Sequence, residues 1–222
     1  MKFIYHDQIG FVELSQFMGQ DLTVVQTARV SYMKDEDKTE LTERDKKLIQ
    51  YLAREKHTSP FEHLIATFRI KVPLFVRSQI MRHRTFSYNE VSRRYTSELI
   101  EAWSPYELRT QHEKSLQCSD GTLDDQTALE LYRDSMENSL SIYAELINRG
   151  VARELARCVL PQSLYTTFYM TGNLHNWIKF IKLRIDPHAQ PEIQVVAKAI
   201  QEDLQQLFPV SMSHLMEDSH DK

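Results

Sequence analysis

Residues Ala66-Thr67-Phe68-Arg69-Ile70-Lys71-Val72 alternate apolar and polar side chains, the two-residue period of a strand with one buried face. Pro73 ends that pattern, and the apolar stretch from Pro73 to Met81 reads as a helix held by packing, with Pro in its first turn. Upstream, Thr42-Glu43-Arg44-Asp45 opens a helical pattern that places Leu48, Ile49 and Leu52 on one face and runs toward His57. Phe3, Val12 and the run Leu22-Thr23-Val24-Val25 predict early strands or short helices, and their periodicity does not decide between the two.

Downstream, residues 104–122 are polar, contain Pro105 and Gly121 and lack a period, so they predict a long mobile loop. From Leu123 to Asn148, the side chains Leu129, Tyr132, Met136, Leu140, Tyr143 and Ile147 recur at three- and four-residue steps. They predict a long amphipathic helix, closed by Gly150, whose stripe lies in the core. Ala152 to Val159 reads as another helix, stopped by Pro161, and Leu164, Thr166, Phe168 and Met170 alternate as a strand. Asn173 suits the cap of a helix carrying Trp177, Phe180 and Ile181, and Pro191 suits the first turn of a final helix through Leu207. There is no internal repeat or low-complexity tract.

Composition narrows the function classes. A chain of 222 residues, 41% hydrophobic and 26% charged, matches an ordinary soluble protein and suits one large domain. Charges interrupt the apolar residues of the start, and no stretch approaches bilayer length, so a cytoplasmic protein with no membrane partner is expected. The net charge of -4 argues for a small anionic ligand rather than nucleic acid. Cys118 and Cys158 lack the paired spacing of a zinc site; Cys158, beside Val159, reads as a packed helix residue.

Against that acidic background stands the run from Arg82 to Tyr95, which holds Arg82, His83, Arg84, Arg93 and Arg94 among hydroxyls, an amide and Glu90. Planar guanidinium groups match phosphate oxygens, so the run has the chemistry of an anion site, although a solvated basic face has the same composition. Consecutive Arg82, His83 and Arg84 fan out by about 100° each on a helix, which suits a junction between several partners. If the chain is extended from Ser92, then Ser92 and Arg94 share one face, and Arg93 and Tyr95 the other.

Arg-His-Arg followed by Ser-x-Asn-Glu-x-Ser-x-Arg-Tyr resembles the signature of flavin-dependent thymidylate synthases. Upstream, His57-Thr58-Ser59-Pro60-Phe61-Glu62-His63 is similar to the family's flavin-side loop. Downstream, Leu183-Arg184-Ile185-Asp186-Pro187-His188-Ala189-Gln190-Pro191-Glu192-Ile193 is similar to its second nucleotide segment. Three motifs in the right order are far more specific than one basic cluster. The resemblance implies an α/β (α+β) fold in a single domain over residues 1–222, with a mixed sheet flanked by helices, assembled as a homotetramer. It implies methylation of dUMP to dTMP with methylenetetrahydrofolate as carbon donor and with FAD reduced by NADPH, without a nucleophilic cysteine.

Carried over position by position, Arg184 resembles the catalytic arginine that polarises the uracil; the bland alternative is a helix-end salt bridge with Asp186. Gln79, Ile80, Met81, Arg82, Glu90, Val91, Ser92, Arg93, Arg94, Arg157 and Arg184 match dUMP-binding positions, with Arg94 and the amides around Ser92 expected at the phosphate. His57, Ser59, Arg82, His83, Arg84, Glu90, Asn173, Leu174, His175 and Lys179 match FAD positions. Two departures stand out: Arg93 replaces a frequent glycine, and Lys179 stands where an amide is expected. Ser92 has no activating base at a telling spacing and is assigned to binding. Two rivals are a non-catalytic nucleotide- or nucleic-acid-binding protein using the basic cluster and a metal-dependent hydrolase built on His57, Glu62, His63 and His188. The His spacing of the second does not suit a zinc helix, and no metal is expected.

Overall fold

A computed structural model gives the structure, which describes residues 1–32, 39–98 and 100–217. Strands β1 (Lys2–Phe3), β2 (Phe11–Met18), β3 (Ile65–Pro73), β4 (Ser87–Glu90) and β7 (Tyr165–Asn173) form one sheet in the order β1-β2-β3-β7-β4. Every pairing is antiparallel, which corrects the expected mixed sheet. The strict alternation in β3 and β7 suits this arrangement, because an antiparallel sheet needs only one dry face. Ala66, Phe68, Ile70 and Val72 of β3 are buried, as are Phe168 and Met170 of β7. The other face carries polar pairs, including Thr67 with Thr171 at 2.9 Å and Arg69 with Glu13 at 2.9 Å.

Helices cover the apolar face. The undecided run at Leu22 falls in α1 (Asp21–Arg29), followed by α2 (Glu43–Arg54), α3 (Leu74–Ile80), α4 (Gln126–Asn148), α5 (Arg153–Ala156), α6 (Leu174–Arg184), α7 (Pro191–Leu207) and α8 (Pro209–Met216). The last expected helix is therefore not final: Pro209 starts another. Trp177 of α6 donates its indole Nε1–H to Gly172 O at 3.0 Å and Ala66 O at 3.3 Å, fastening the helix to the two central strands. Gly172 has no substitute here, since a Cβ would come within 2.4 Å of the Phe86 ring.

The expected loop at 104–122 instead contains a hairpin of β5 (Leu108–Gln111) and β6 (Ser119–Leu123), antiparallel with a bulge at Arg109/Thr110. Strand β6 is exposed throughout and shows no burial period, and Arg109 of β5 tethers the hairpin by two bonds, at 2.8 and 3.0 Å, to buried Glu192. Helix α4 begins with Asp125 as cap, its side chain accepting from Ala128 N, so Leu123 belongs to the hairpin. Of its apolar stripe Leu129 and Tyr143 are buried, while Tyr132, Met136, Leu140 and Ile147 are half-buried, so the stripe is only partly the core that was expected.

Two buried carboxylates tie distant helices together. Asp21 accepts from Val210 N (2.9 Å), Ser211 N (2.8 Å) and Ser211 Oγ, which satisfies the N-terminal amides of α8 from another part of the chain. Asp21→Ala leaves those amides without an acceptor and is expected to cost about 3 kcal/mol in urea unfolding. An unchanged midpoint would show that α8 does not depend on this cap.

Asp45 completes a capping box with Thr42, taking its hydroxyl at 2.6 Å and its N–H at 2.9 Å, and it also pairs with Arg29 of α1. Burial opposes the charged form, but the bonds from Thr42 and Arg29 prevail and hold the carboxyl below the usual aspartate value. A depressed carboxylate stabilises the fold above its unfolded pKa, about 3.9, and that contribution is lost as pH falls through the lower folded value. Asp45→Asn should therefore lower the urea midpoint at pH 7, with the deficit shrinking below about pH 4. A deficit independent of pH would refute the electrostatic account.

Candidate active site

Helices α3 and α6 follow directly from β3 and β7, which run antiparallel, and their C-terminal ends meet. At that meeting point Arg184 donates Nη2–H to Gln79 O at 2.9 Å and Nε–H to His83 Nε2 at 3.0 Å. A cation held at two helix C-termini is favoured by both dipoles. His83 must be neutral to accept this bond, with its proton on Nδ1. Burial, then the adjacent Arg184 charge, pulls its pKa down to about 4. The Phe180 ring stands edge-on to the imidazole at 4.9 Å between centroids. Arg184, half-buried, has its own pKa lowered by burial. Asp186 bonds His188 instead, at 3.0 Å, so the salt-bridge alternative for Arg184 does not form.

Gln79 also joins this cluster through its side chain, whose Nε2 donates to Gln190 Oε1 at 2.6 Å. Arg82 is exposed and His83 half-buried, both in the turn that follows α3, and Met81 is half-buried beside them. Ile80 is fully buried, so that position has only its backbone to offer a ligand.

A second cluster lies around a cavity of about 520 Å³ lined by Arg77, Glu90, Val91, Ser92, Arg93, Arg157 and Thr166. Arg77 and Gln79 are two residues apart, about 200° around α3, so the helix sends one toward each cluster and separates them. The segment from Ser92 is not extended: Tyr95 N bonds Ser92 O at 3.0 Å in a turn, and Arg94 N bonds Ser92 Oγ at 3.3 Å. Arg93 rather than Arg94 thus shares the cavity with Ser92, while Arg94 is exposed, 3.9 Å from Glu154. Arg93 reaches Glu98 O through Nη1, and burial lowers its pKa. Among the described residues, Arg157 has no carboxylate within 4 Å. Cys158, expected to be packed, is exposed and lines the same cavity.

The third group lies along the start of α6. Leu174 is buried and donates its N–H to Leu64 O at 2.7 Å, seating the helix beside the short 3₁₀ turn Ser59–His63. Asn173 caps α6 by accepting from Asn176 N at 2.9 Å, and Asn176 Nδ2 donates to Thr85 O at 3.2 Å. Ser59, Asn173, His175 and Lys179 therefore share an edge with the segment carrying Arg84, whereas Glu90 lies apart in the cavity. Burial, then Lys179, lowers the His175 pKa, and Glu62 opposes them. Exposed Arg84 and Lys179 have no carboxylate within 4 Å among the described residues, which suits a phosphate-bearing group. His57 is positioned by the end of α2, where Lys56 N bonds Ala53 O and His57 N bonds Leu52 O. That closing motif usually takes glycine at the left-handed position, which Lys56 occupies with φ 58°.

Sequence reasoning passes over Arg77, Thr166, Gln190 and the cavity position of Cys158. Arg77 alone left a signal, as the one charged residue in Leu74–Ile80. No group of three His, Cys, Asp or Glu able to hold a metal ion occurs among the described residues, nor does any helix there that is long and apolar enough to cross a membrane.

The family model described as thymidylate synthase complementing protein matches residues 13–210. A flavin-dependent thymidylate synthase of Thermus thermophilus is 44% identical over 212 residues, covering 94% of this chain and 77% of the relative. That of Thermosipho africanus is 45% identical over 192 residues, covering 85% and 82%. Among solved structures, the UMP/dUMP methylase PolB from Streptomyces cacaoi, bound with 5-Br dUMP, superposes with a TM-score of 0.84 at 34% identity, covering 92% of this chain and 94% of that one. With its motifs, its fold and these matches in agreement, the chain belongs to the flavin-dependent thymidylate synthase family.

Proposed function

We propose that this chain converts dUMP to dTMP in the cytoplasm, as one domain per subunit of a homotetramer, with methylenetetrahydrofolate as carbon donor and FAD reduced by NADPH. The observation that carries the reading is the placement of Arg184, braced by Gln79 O and neutral His83. Its remaining nitrogen, Nη1, has no hydrogen-bond partner among the described residues. A guanidinium held this way needs no reorganisation to stabilise negative charge on a pyrimidine oxygen as electron density builds at ring carbon 5.

Among the described residues, neither cysteine is hydrogen-bonded to a side-chain base that would activate it as a nucleophile. Cys118 lies in the hairpin, its Sγ 3.5 Å from His188 O, and Cys158 lines the cavity on the far side of α3. FAD, when bound, would supply the reducing hydride. Ser59, His57, Arg84, Asn173, His175 and Lys179 would hold it along the start of α6, with Arg82 and His83 between flavin and nucleotide. In the cavity, Arg157, Arg93 and the Ser92 hydroxyl suit the nucleotide phosphate, and Arg94 borders it.

Since α3 separates Arg184 and Gln79 from Arg157 and Ser92, one dUMP takes its base contacts from one subunit and its phosphate contacts from another. The assembly thereby completes each site.

Tritium release from dUMP labelled at ring carbon 5 should require FAD, NADPH and methylenetetrahydrofolate together. Arg184→Ala should lower its kcat about 10²–10³-fold. Undiminished release by that variant would refute the role of Arg184, and no release by the wild type would refute the reaction. Arg157→Ala and Arg184→Ala should each be nearly inactive alone. Mixed and allowed to exchange subunits, they should recover up to about a quarter of wild-type activity, because hybrid interfaces rebuild one intact site of two. Mixtures that stay inactive despite exchange would place both arginines at the same subunit's site.

A further inference from the structure

The cavity of the second cluster contains a charge arrangement that nucleotide binding by Arg157 and Ser92 does not explain. Three guanidiniums line it, those of Arg77, Arg93 and Arg157, with a single carboxylate, Glu90. Glu90 stands on β4, whose pairing with β7 fixes its backbone opposite Phe168. Arg77, from α3, brings both Nε, at 2.9 Å, and Nη2 onto Glu90 Oε2. Thr166, from β7, donates its hydroxyl to Oε1 at 2.8 Å. Both carboxylate oxygens are thus engaged by donors on two separately packed elements, and the side chain is only 19% exposed.

We propose that Arg77 is a positioning residue for dUMP binding, clamping Glu90 so that this carboxylate does not compete with the nucleotide phosphate for the cavity's other guanidiniums. The proposal rests on the reading of the cavity as a nucleotide site. With Arg77 in place, Glu90 is neutralised, and Arg157, which has no carboxylate within 4 Å among the described residues, is left to the phosphate. Without it, a half-buried carboxylate keeps one hydroxyl partner and an unbalanced charge, and the nearest compensation is a guanidinium of the same cavity. Glu90 would then occupy the cation that the phosphate needs. Arg77 acts by restraining an acidic neighbour, with no contact to the nucleotide.

This account makes the effect of Arg77 conditional on two things, the charge of Glu90 and the phosphate of the ligand. Calorimetric titration with dUMP and with deoxyuridine, using the FAD-loaded protein, reads both. Arg77→Met should weaken dUMP at least tenfold while changing deoxyuridine less than threefold, and in tritium release it should raise KM for dUMP with kcat within about threefold. Arg77→Lys, which keeps the charge, should recover most of the affinity. In a Glu90→Gln background the same Arg77→Met change should cost less than threefold, because no carboxylate remains to restrain.

Equal weakening of dUMP and deoxyuridine, or an undiminished cost in the Glu90→Gln background, would overturn the proposal in favour of a general packing role. If Arg77→Met does not fold, Arg77→Lys and Arg77→Gln give the same comparison. Should the wild type bind neither ligand, the nucleotide reading fails. Should it bind dUMP while every Arg77 variant binds as tightly, only the role of Arg77 fails.

Discussion

The nine-residue pairing of β3 with β7, from Ile65 opposite Asn173 to Pro73 opposite Tyr165, is the constraint on which the site depends. Eight steps of an antiparallel strand cover about 27 Å. At the two ends the chain turns straight into α3 and α6, of seven and eleven residues, which at about 1.5 Å per residue come to about 10 and about 16 Å. Two helices that start at opposite ends of this ladder and return along it therefore run out where they meet, and Arg184 and Gln79 are their last turns. The Trp177 bonds to both strands keep that length relation from slipping.

The same ladder explains how the fold keeps so many cations near one another. Each stays tied to a separate anchor: Arg184 to a carbonyl and a neutral imidazole, Arg77 to a carboxylate, Arg93 to a backbone carbonyl. Carbonyls and a neutral ring hold a guanidinium in place without cancelling its charge, whereas a carboxylate cancels it. Arg77, with its carboxylate anchor, thus has its charge balanced inside the protein, whereas Arg184 keeps its charge for what approaches it.

Much of this was legible in the sequence wherever the determinants are local. The alternation in β3 and β7, the Thr42 box and the Asn173 cap each involve residues within a few positions, and each was placed. The β5–β6 hairpin was not, because β6 is exposed throughout and its tether, Arg109 to Glu192, joins residues 83 apart. Strand direction likewise depends on partners about a hundred residues away. In the site, motif resemblance supplied residue types, but the turn at Ser92 exchanged the faces assigned to Arg93 and Arg94. Arg77 was passed over, because its partner Glu90 lies thirteen residues later on a strand, beyond any local pattern.

Helix α3 is short, and Val76 and Ile80, one turn apart, are both fully buried beneath it. That apolar strip fixes the rotation of the helix about its own axis. Arg77 and Gln79, about 200° apart on it, are therefore held on opposite sides. A segment of seven residues thus acts as a partition, its one buried edge setting the direction of both side chains.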